Sequence, residues 1–227
     1  MKIGALVSGG KDSLFALYLM KKQGNDISCI MTMNSESDES YMFHYPNVDL
    51  VKAQAKLMNI PYVEKTTKGM KEEELSDLEE LIEEAKEKYS IEGICAGAIN
   101  SNYQKSRIDR IAKKLKLKSF APLWERDPES LLKEMFDNNF EIIITNIAAE
   151  GLDASYLGAD LKCVLEYLKE LNKKYSLHIA GEGGEYETLV LSCPLFAKRI
   201  KVLKTGKVVD KNTGSAMLLI EEVNFES

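Results

Sequence analysis

The chain has 227 residues, 44% of them hydrophobic and 29% charged, with four cysteines and a net charge of −6 from 30 basic and 36 acidic side chains. That length buries a full core in one domain or two modest ones, and the composition is that of an ordinary globular protein. The opening apolar run is too short for a signal peptide and nothing approaches the roughly 18 apolar residues of a membrane span, so a cytoplasmic location is expected.

Ile3 to Val7 reads as a first buried strand, and Ser8-Gly9-Gly10-Lys11-Asp12-Ser13 follows it directly. Two glycines let backbone N–H groups converge on an anion without Cβ interference. The helix behind them, Asp12 to Gln23, adds unpaired N-terminal donors and the positive end of its dipole. Asp12 and Ser13 stand where caps and first-turn acids are favoured, and Leu14, Leu17, Tyr18 and Lys21 keep a helical rhythm. An ordinary strand-to-helix turn is written with the same letters. Position in the first βα unit, where mononucleotide sites gather, favours a phosphate site. Neither the P-loop pattern nor the dinucleotide fingerprint occurs.

Strand and helix patterns keep alternating through the first two thirds. Ile27 to Met33, Pro61 to Thr66 and Gly93 to Ala98 read as buried strands; Asn47 to Asn59, Lys71 to Tyr89 and Tyr103 to Lys116 read as helices. This predicts an α/β fold, a doubly wound parallel sheet covered on both faces, with ligands at the carboxyl ends of its strands. Ser8 to Ser13, Met33 with Asn34, and Gly97 to Ser101 follow three of those strands, so three distant loops are expected at one mouth. Between Lys71 and Lys88 nine acids face three lysines while Leu75, Leu78, Leu81, Ile82 and Ala85 share a helical face, the pattern of a surface helix with an acidic side. The remaining chain balances in charge, which argues against a protein whose main duty is holding RNA by its phosphates. Farther on, Lys105, Arg107, Arg110, Lys113, Lys114, Lys116 and Lys118 stand against a single Asp109, with Arg107, Arg110 and Lys114 on one face. A solvated basic face explains the distal lysines. Arg107 closes a stretch that begins at the mouth, where guanidinium recognition of a phosphate is the alternative.

The pattern changes around Pro122-Leu123-Trp124. A polar helix (Pro128 to Asn138), a β run (Glu141 to Ile147) and a helix from about Ala159 to Lys174 precede mostly strands: Ser176 to Ala180, Glu187 to Ser192, Arg199 to Lys204, Lys207 to Val209 and Ala216 to Glu222. Val202 to Val209 reads as a hairpin turning at Gly206. The expected division is residues 1–125 and a smaller α+β domain, residues 126–227. Cys29, Cys95, Cys163 and Cys193 are far apart, form no C-x-x-C, and read as buried small hydrophobes rather than a disulfide framework or metal site. His44 lies among Tyr41, Phe43 and Tyr45, where surface packing and a lid are alternatives; His178 reads as structural.

Ser8 to Ser13 after a first strand resembles the signature of the PP-loop ATP pyrophosphatase superfamily. Two further stretches, Gly97-Ala98-Ile99-Asn100-Ser101-Asn102-Tyr103-Gln104-Lys105-Ser106-Arg107 and Gly181-Glu182-Gly183-Gly184-Glu185-Tyr186-Glu187-Thr188-Leu189-Val190, join Pro122-Leu123-Trp124 in resembling the diphthine–ammonia ligase family, over most of the chain to about Pro194. The resemblance implies an HUP-type fold, like that of adenine nucleotide alpha hydrolases, with an ATP-binding domain followed by a substrate-binding one. It implies an AMP-forming ligase that amidates diphthine on translation elongation factor 2 with ammonium, giving diphthamide, AMP and pyrophosphate.

ATP is then expected with its phosphates over Ser8, Gly9, Gly10, Lys11, Asp12 and Ser13. The serines donate hydroxyl bonds, Lys11 supplies countercharge and Asp12 contacts Mg²⁺, since pyrophosphate leaving the α-phosphorus develops charge. The resemblance adds adenine held by backbone near Met33 and Asn34, Gly97 permitting close approach, and Arg107 on a phosphate. Its stretches supply Asn100, Ser101, Tyr103, Gln104, Trp124, Gly183, Gly184, Tyr186 and Thr188 on the substrate side. Gly181 to Thr188 alone reads equally as turn and site, and the resemblance favours a site. Diphthine carries a quaternary ammonium, which Tyr186, Tyr103 and Trp124 could meet with ring faces and Glu182 and Glu185 with charge, one glutamate handling ammonium. The substrate carboxylate would attack the α-phosphorus and ammonia would open the acyl adenylate. Two rivals stand: a PP-loop tRNA-modifying enzyme, lysidine-type or a thiolase needing reactive cysteines, and a non-catalytic ATP-binding module. No membrane partner is expected, nucleic acid is disfavoured, and the oligomeric state stays open.

Overall fold

The computed structural model describes residues 1–35, 46–67 and 71–226. His44 and its aromatic neighbours lie outside them. The chain divides into two compact units, Met1–Glu125 and Arg126–Ser227.

The first unit runs β1 (Lys2–Leu6), α1 (Lys11–Lys22), β2 (Asp26–Ser35), α2 (Pro46–Met58), β3 (Tyr62–Thr67), α3 (Lys71–Tyr89), β4 (Gly93–Cys95), α4 (Asn102–Lys114) and β5 (Lys118–Phe120). Its strands form one parallel sheet in the order β3-β2-β1-β4-β5, the expected doubly wound arrangement. Growth of the sheet reverses between β1 and β4, which creates a switch point at the carboxyl end of β1. Alternation along β2 explains the layers. Cys29 and Met31 join a cluster with Leu81, Ile82 and Ala85 of α3, Ile111 and Ala112 of α4, and Leu115 at its C-cap. Ile30 and Thr32 face the opposite layer, where α1 buries Leu14, Phe15, Leu17 and Met20. The edge strand β5 is a structural addition to the sequence reading.

The second unit contains α5 (Pro128–Asp137), β6 (Glu141–Ile147), a 3₁₀ turn (Ala154–Tyr156), α6 (Leu161–Tyr175), β7 (Tyr186–Ser192), β8 (Arg199–Val209) and β9 (Ala216–Glu226). Its antiparallel sheet is ordered β7-β6-β9-β8. Asp127 caps α5 by accepting from the Ser130 N–H at 2.9 Å, and Pro128 opens the helix at a position that needs no donor. Leu161, Val164, Leu165, Leu168 and Leu171 give α6 its buried stripe.

Three expectations are corrected here. Ser176 to Ala180 is not a strand; it leads into the turns before β7. Gly206 does not turn a hairpin: it sits inside β8 opposite Leu219. The chain reverses instead over Asp210 to Ser215, where the Asp210 carboxylate accepts from the Asn212 N–H at 2.8 Å and the Thr213 hydroxyl at 2.9 Å. Cys163 is exposed on α6, whereas Cys29, Cys95 and Cys193 are buried.

Candidate active site

β1 hands the chain to the glycine bend through paired bonds. The Val7 N–H donates to the Met31 carbonyl at 3.0 Å, and the buried Thr32 hydroxyl donates to the Val7 carbonyl at 2.9 Å. Gly9 has φ of +84°, a conformation that suits glycine, and its carbonyl accepts from Nε2 of Gln54, a fully buried residue of α2, at 3.2 Å. The Ser13 hydroxyl donates to the Gly10 carbonyl at 3.1 Å, accepts from the Ser8 N–H at 3.2 Å and lies 3.3 Å from the Ser8 hydroxyl. Protein donors therefore occupy the carbonyls of residues 7, 9 and 10. Gly10 caps α1 with no side-chain bond, so the first-turn N–H groups are presented outward from a helix N-terminus, the arrangement that receives phosphate.

Lys11 is only 3% exposed, and its Nζ lies 2.8 Å from Oδ2 of Asp12, which is 27% exposed. Among the described residues no cluster of three or more His, Cys, Asp or Glu side chains forms a cage for a metal. A single hard carboxylate beside a helix N-terminus fits an ion that keeps most of its coordination for water and phosphate oxygens, as Mg²⁺ does.

Gly97 has a definite structural task. A Cβ built there would fall 2.6 Å from the Asp12 carbonyl carbon and 2.6 Å from the Ser13 nitrogen, so the loop after β4 rests on the backbone of the glycine bend. Asn34 donates its amide to Glu64 at 3.1 Å, and the Met33 side chain packs on the α3–α4 cluster. The Met33 backbone continues past the end of the β1–β2 pairing. By the two-residue period its N–H and C=O point to the same side as those of Met31, beyond the last β1 pair, Leu6 with Met31.

Gln54 and Thr32 support the bend without featuring in the sequence reading. Replacing Gln54 by leucine is expected to cost about 1–3 kcal/mol, because the Gly9 carbonyl loses that donor inside the protein. Urea denaturation should show the loss, and KM for ATP should rise several-fold.

At the start of α4, the Ser101 hydroxyl caps the helix by accepting from the Gln104 N–H at 3.3 Å, and the Asn100 carbonyl accepts from the Asn102 N–H at 3.0 Å. Tyr103 is 53% exposed, and the Arg107 guanidinium carbon stands 3.6 Å from its ring centroid. Lys105 bonds Asp109 at 2.6 Å and lies 5.4 Å from the Trp124 ring centroid. Arg107 also lines a cleft of about 480 Å³ with Leu75, Ser76, Glu79, Arg110, Ile111 and Lys114. No residue of the glycine bend is part of that lining.

In the second unit, both oxygens of Glu185 serve the backbone: Oε1 accepts from the His178 N–H and Oε2 from the Gly183 N–H, each at 2.8 Å. Tyr186 is 2% exposed and donates its hydroxyl to the Ile179 carbonyl at 2.6 Å, so its ring packs the loop instead of offering a face. The Glu182 N–H donates to Nδ1 of His178 at 3.3 Å, which gives this histidine its structural role. Glu182 itself is half-buried, Gly183 and Gly184 are exposed, and Thr188 lies in β7 opposite Ile144.

Glu187 is the group the sequence reading passed over. It stands opposite the buried Asn146 across β6 and β7; burial raises its pKa from 4.5, and a hydrogen bond with Asn146 opposes the rise. A carboxyl with a raised folded-state pKa binds more protons folded than unfolded, so its contribution to stability is full below the unfolded value and is lost as pH climbs through the folded one. Glu187→Gln should therefore melt higher than the wild type at pH 8, with the gap closing as pH falls below 4.5.

Burial pushes the thiols of Cys29, Cys95 and Cys193 up to about 12, so none is a ready thiolate near neutrality.

A parallel sheet with a glycine bend and a helix N-terminus at its switch point is the architecture of the doubly wound α/β class, in which mononucleotide sites gather at that point. Residues 1–119 match the family model described as the diphthamide synthase N-terminal domain, and residues 127–223 that of the diphthamide synthase C-terminal domain. The chain is 41% identical to the diphthine–ammonia ligase of Rattus norvegicus, covering 92% of this chain and 85% of that protein. It is 38% identical to the human diphthine–ammonia ligase with the same coverage, and 37% identical to that of Schizosaccharomyces pombe, of which the match takes 39%. The chain belongs to the diphthamide synthase family.

Proposed function

We propose that this protein is an AMP-forming ligase that uses ATP and ammonium to amidate the carboxylate of diphthine on translation elongation factor 2, in the cytoplasm. The observation that carries the reading is family membership through both units, joined to a nucleotide-type bend at the switch point. In this reading residues 1–125 bind ATP and residues 126–227 bind the substrate.

The N–H groups behind Gly9 and Gly10 and the Lys11 ammonium receive the β- and γ-phosphates, while the Met33 backbone takes adenine. The substrate carboxylate oxygen bonds the α-phosphorus as the bond to the bridging oxygen breaks, leaving pyrophosphate on the bend and an acyl adenylate. Ammonia nitrogen then bonds the acyl carbon, AMP leaves, and a nearby base removes the surplus proton. Activation is needed because a carboxylate is a poor acceptor for an amine, and fixed donors at the phosphates stabilise the charge that develops. Asp12 is the residue that would hold Mg²⁺, which when bound neutralises charge on the phosphates. Glu182, Glu187 and the exposed Gly183–Gly184 backbone are the candidates for the substrate side; the bonds Glu185 and Tyr186 already make leave them to shape that loop.

The test is to incubate the protein with ATP, ammonium and diphthine-bearing elongation factor 2. AMP, pyrophosphate and a factor whose hydroxyl is replaced by an amino group are expected. ADP as the nucleotide product, or AMP formed only with tRNA, would overturn the reading.

A further inference from the structure

We propose that the cleft between α3 and α4 docks an acidic, leucine-bearing segment of the protein that carries the substrate carboxylate; in naming a protein partner this rests on the function proposed above. The cleft holds about 480 Å³. Ile111, 4% exposed, and the half-buried Leu75 make its base apolar, while Arg107, Arg110 and Lys114 line the α4 side and Ser76 and Glu79 the α3 side. The three cations share one helical face over about 10 Å.

They are held in different ways. Lys114 is bridged across the cleft to Glu79. The Arg107 guanidinium carbon stands 3.6 Å from the Tyr103 ring centroid, a cation–π contact that leaves its N–H groups able to donate to a carboxylate. Arg110 is exposed, and among the described residues neither arginine joins an ion pair, the pairs of α4 being Lys105 with Asp109 and Lys114 with Glu79.

The occupant follows from shape and sign. A small phosphate ester fits poorly, because the cations form a row and Ser101 already caps α4. A continuous polyanion such as RNA would run past Glu79 and, one turn further along the same face of α3, the exposed Glu83, which repel it. A short peptide with carboxylates spaced to the two arginines and an apolar side chain between them meets both the row and the base. On a protein of net charge −6, such a cleft also selects orientation during encounter.

The experiment measures fluorescence anisotropy of the full-length protein with three labelled probes: an alternating aspartate–leucine peptide, its lysine–leucine counterpart, and oligouridylate. The acidic peptide is expected to bind at least about tenfold more tightly than the others, to weaken about tenfold with Arg110→Glu, and to recover with Arg110→Lys. Arg110→Gln replaces the charge reversal if that variant melts lower than the wild type. In turnover, KM for diphthine-bearing factor should rise with Arg110→Glu while kcat and KM for ATP hold. Equal binding of both peptides, indifference to Arg110→Glu, or preference for oligouridylate overturns the proposal. Peptide binding is read without turnover, so a protein that binds the acidic probe yet makes no AMP with the factor refutes the ligase reading alone.

Discussion

Gly97→Ala is expected to remove most AMP-forming activity while leaving a folded protein. The added methyl would meet the Asp12 carbonyl carbon and the Ser13 nitrogen at 2.6 Å and the Asp12 oxygen at 2.8 Å, all backbone atoms that no side-chain rotation can clear. Either the loop after β4 lifts or the first turn of α1 is pushed. Overpacking of this kind costs about 1–3 kcal/mol, which lowers the melting temperature of a chain this size by roughly 2–12 °C. The catalytic penalty is larger, since moving the proposed phosphate donors by about 1 Å costs on the order of 10²-fold in rate. Thermal melting and AMP release on the same preparation separate the two. Turnover that stays within a factor of a few of wild type would mean that the α1 N-terminus does not hold the phosphates.

Gly97 also shows how far letters alone reach. A glycine after a short strand marks close approach, but only the fold reveals that the approaching surface is the Asp12–Ser13 peptide. Long periodic elements were legible: α3 and β6 span the residues their patterns mark, α3 through its column of Leu75, Leu78, Leu81, Ile82 and Ala85 and β6 through the β-branched run Ile142-Ile143-Ile144-Thr145. The edge strand β5 was not, since three residues carry too little alternation to stand out. The hairpin was misplaced because a lone Gly206 looked like a turn, while Asp210, Asn212 and Thr213 closed the real one through side-chain bonds. Gln54 had a readable sign: it interrupts a column of Leu50, Val51, Ala55 and Met58, and a polar residue inside an apolar helical stripe needs a buried partner. Glu185 and Tyr186 had none. Their letters suit a binding loop and a self-bonded loop equally, and only the bonds to His178, Gly183 and Ile179 decide what they do.

Asp12→Asn and Lys11→Met should both collapse turnover, yet separate sharply in stability. Losing the Asp12 carboxylate deprives a lysine that is 3% exposed of the negative charge 2.8 Å from its ammonium. Breaking a buried pair from one side costs about 3–5 kcal/mol, and the 27% exposure of Asp12 places this case toward the lower figure. Lys11→Met puts an uncharged chain of similar length into the same buried space and leaves Asp12 partly hydrated in the favourable field of the α1 N-terminus, so the loss should be about 1 kcal/mol. In the proposed mechanism each single change removes charge stabilisation where pyrophosphate would depart, for an expected fall of about 10²–10³ in kcat. The double variant is the decisive one. With both charges gone, stability should exceed that of Asp12→Asn alone by at least about 1 kcal/mol, while AMP formation stays as low as in the worse single variant. Urea midpoints and AMP release measure the two quantities on the same samples. Additive stabilities would show that the ammonium and carboxylate act independently, and a double variant that recovers turnover would place the chemistry away from this bend.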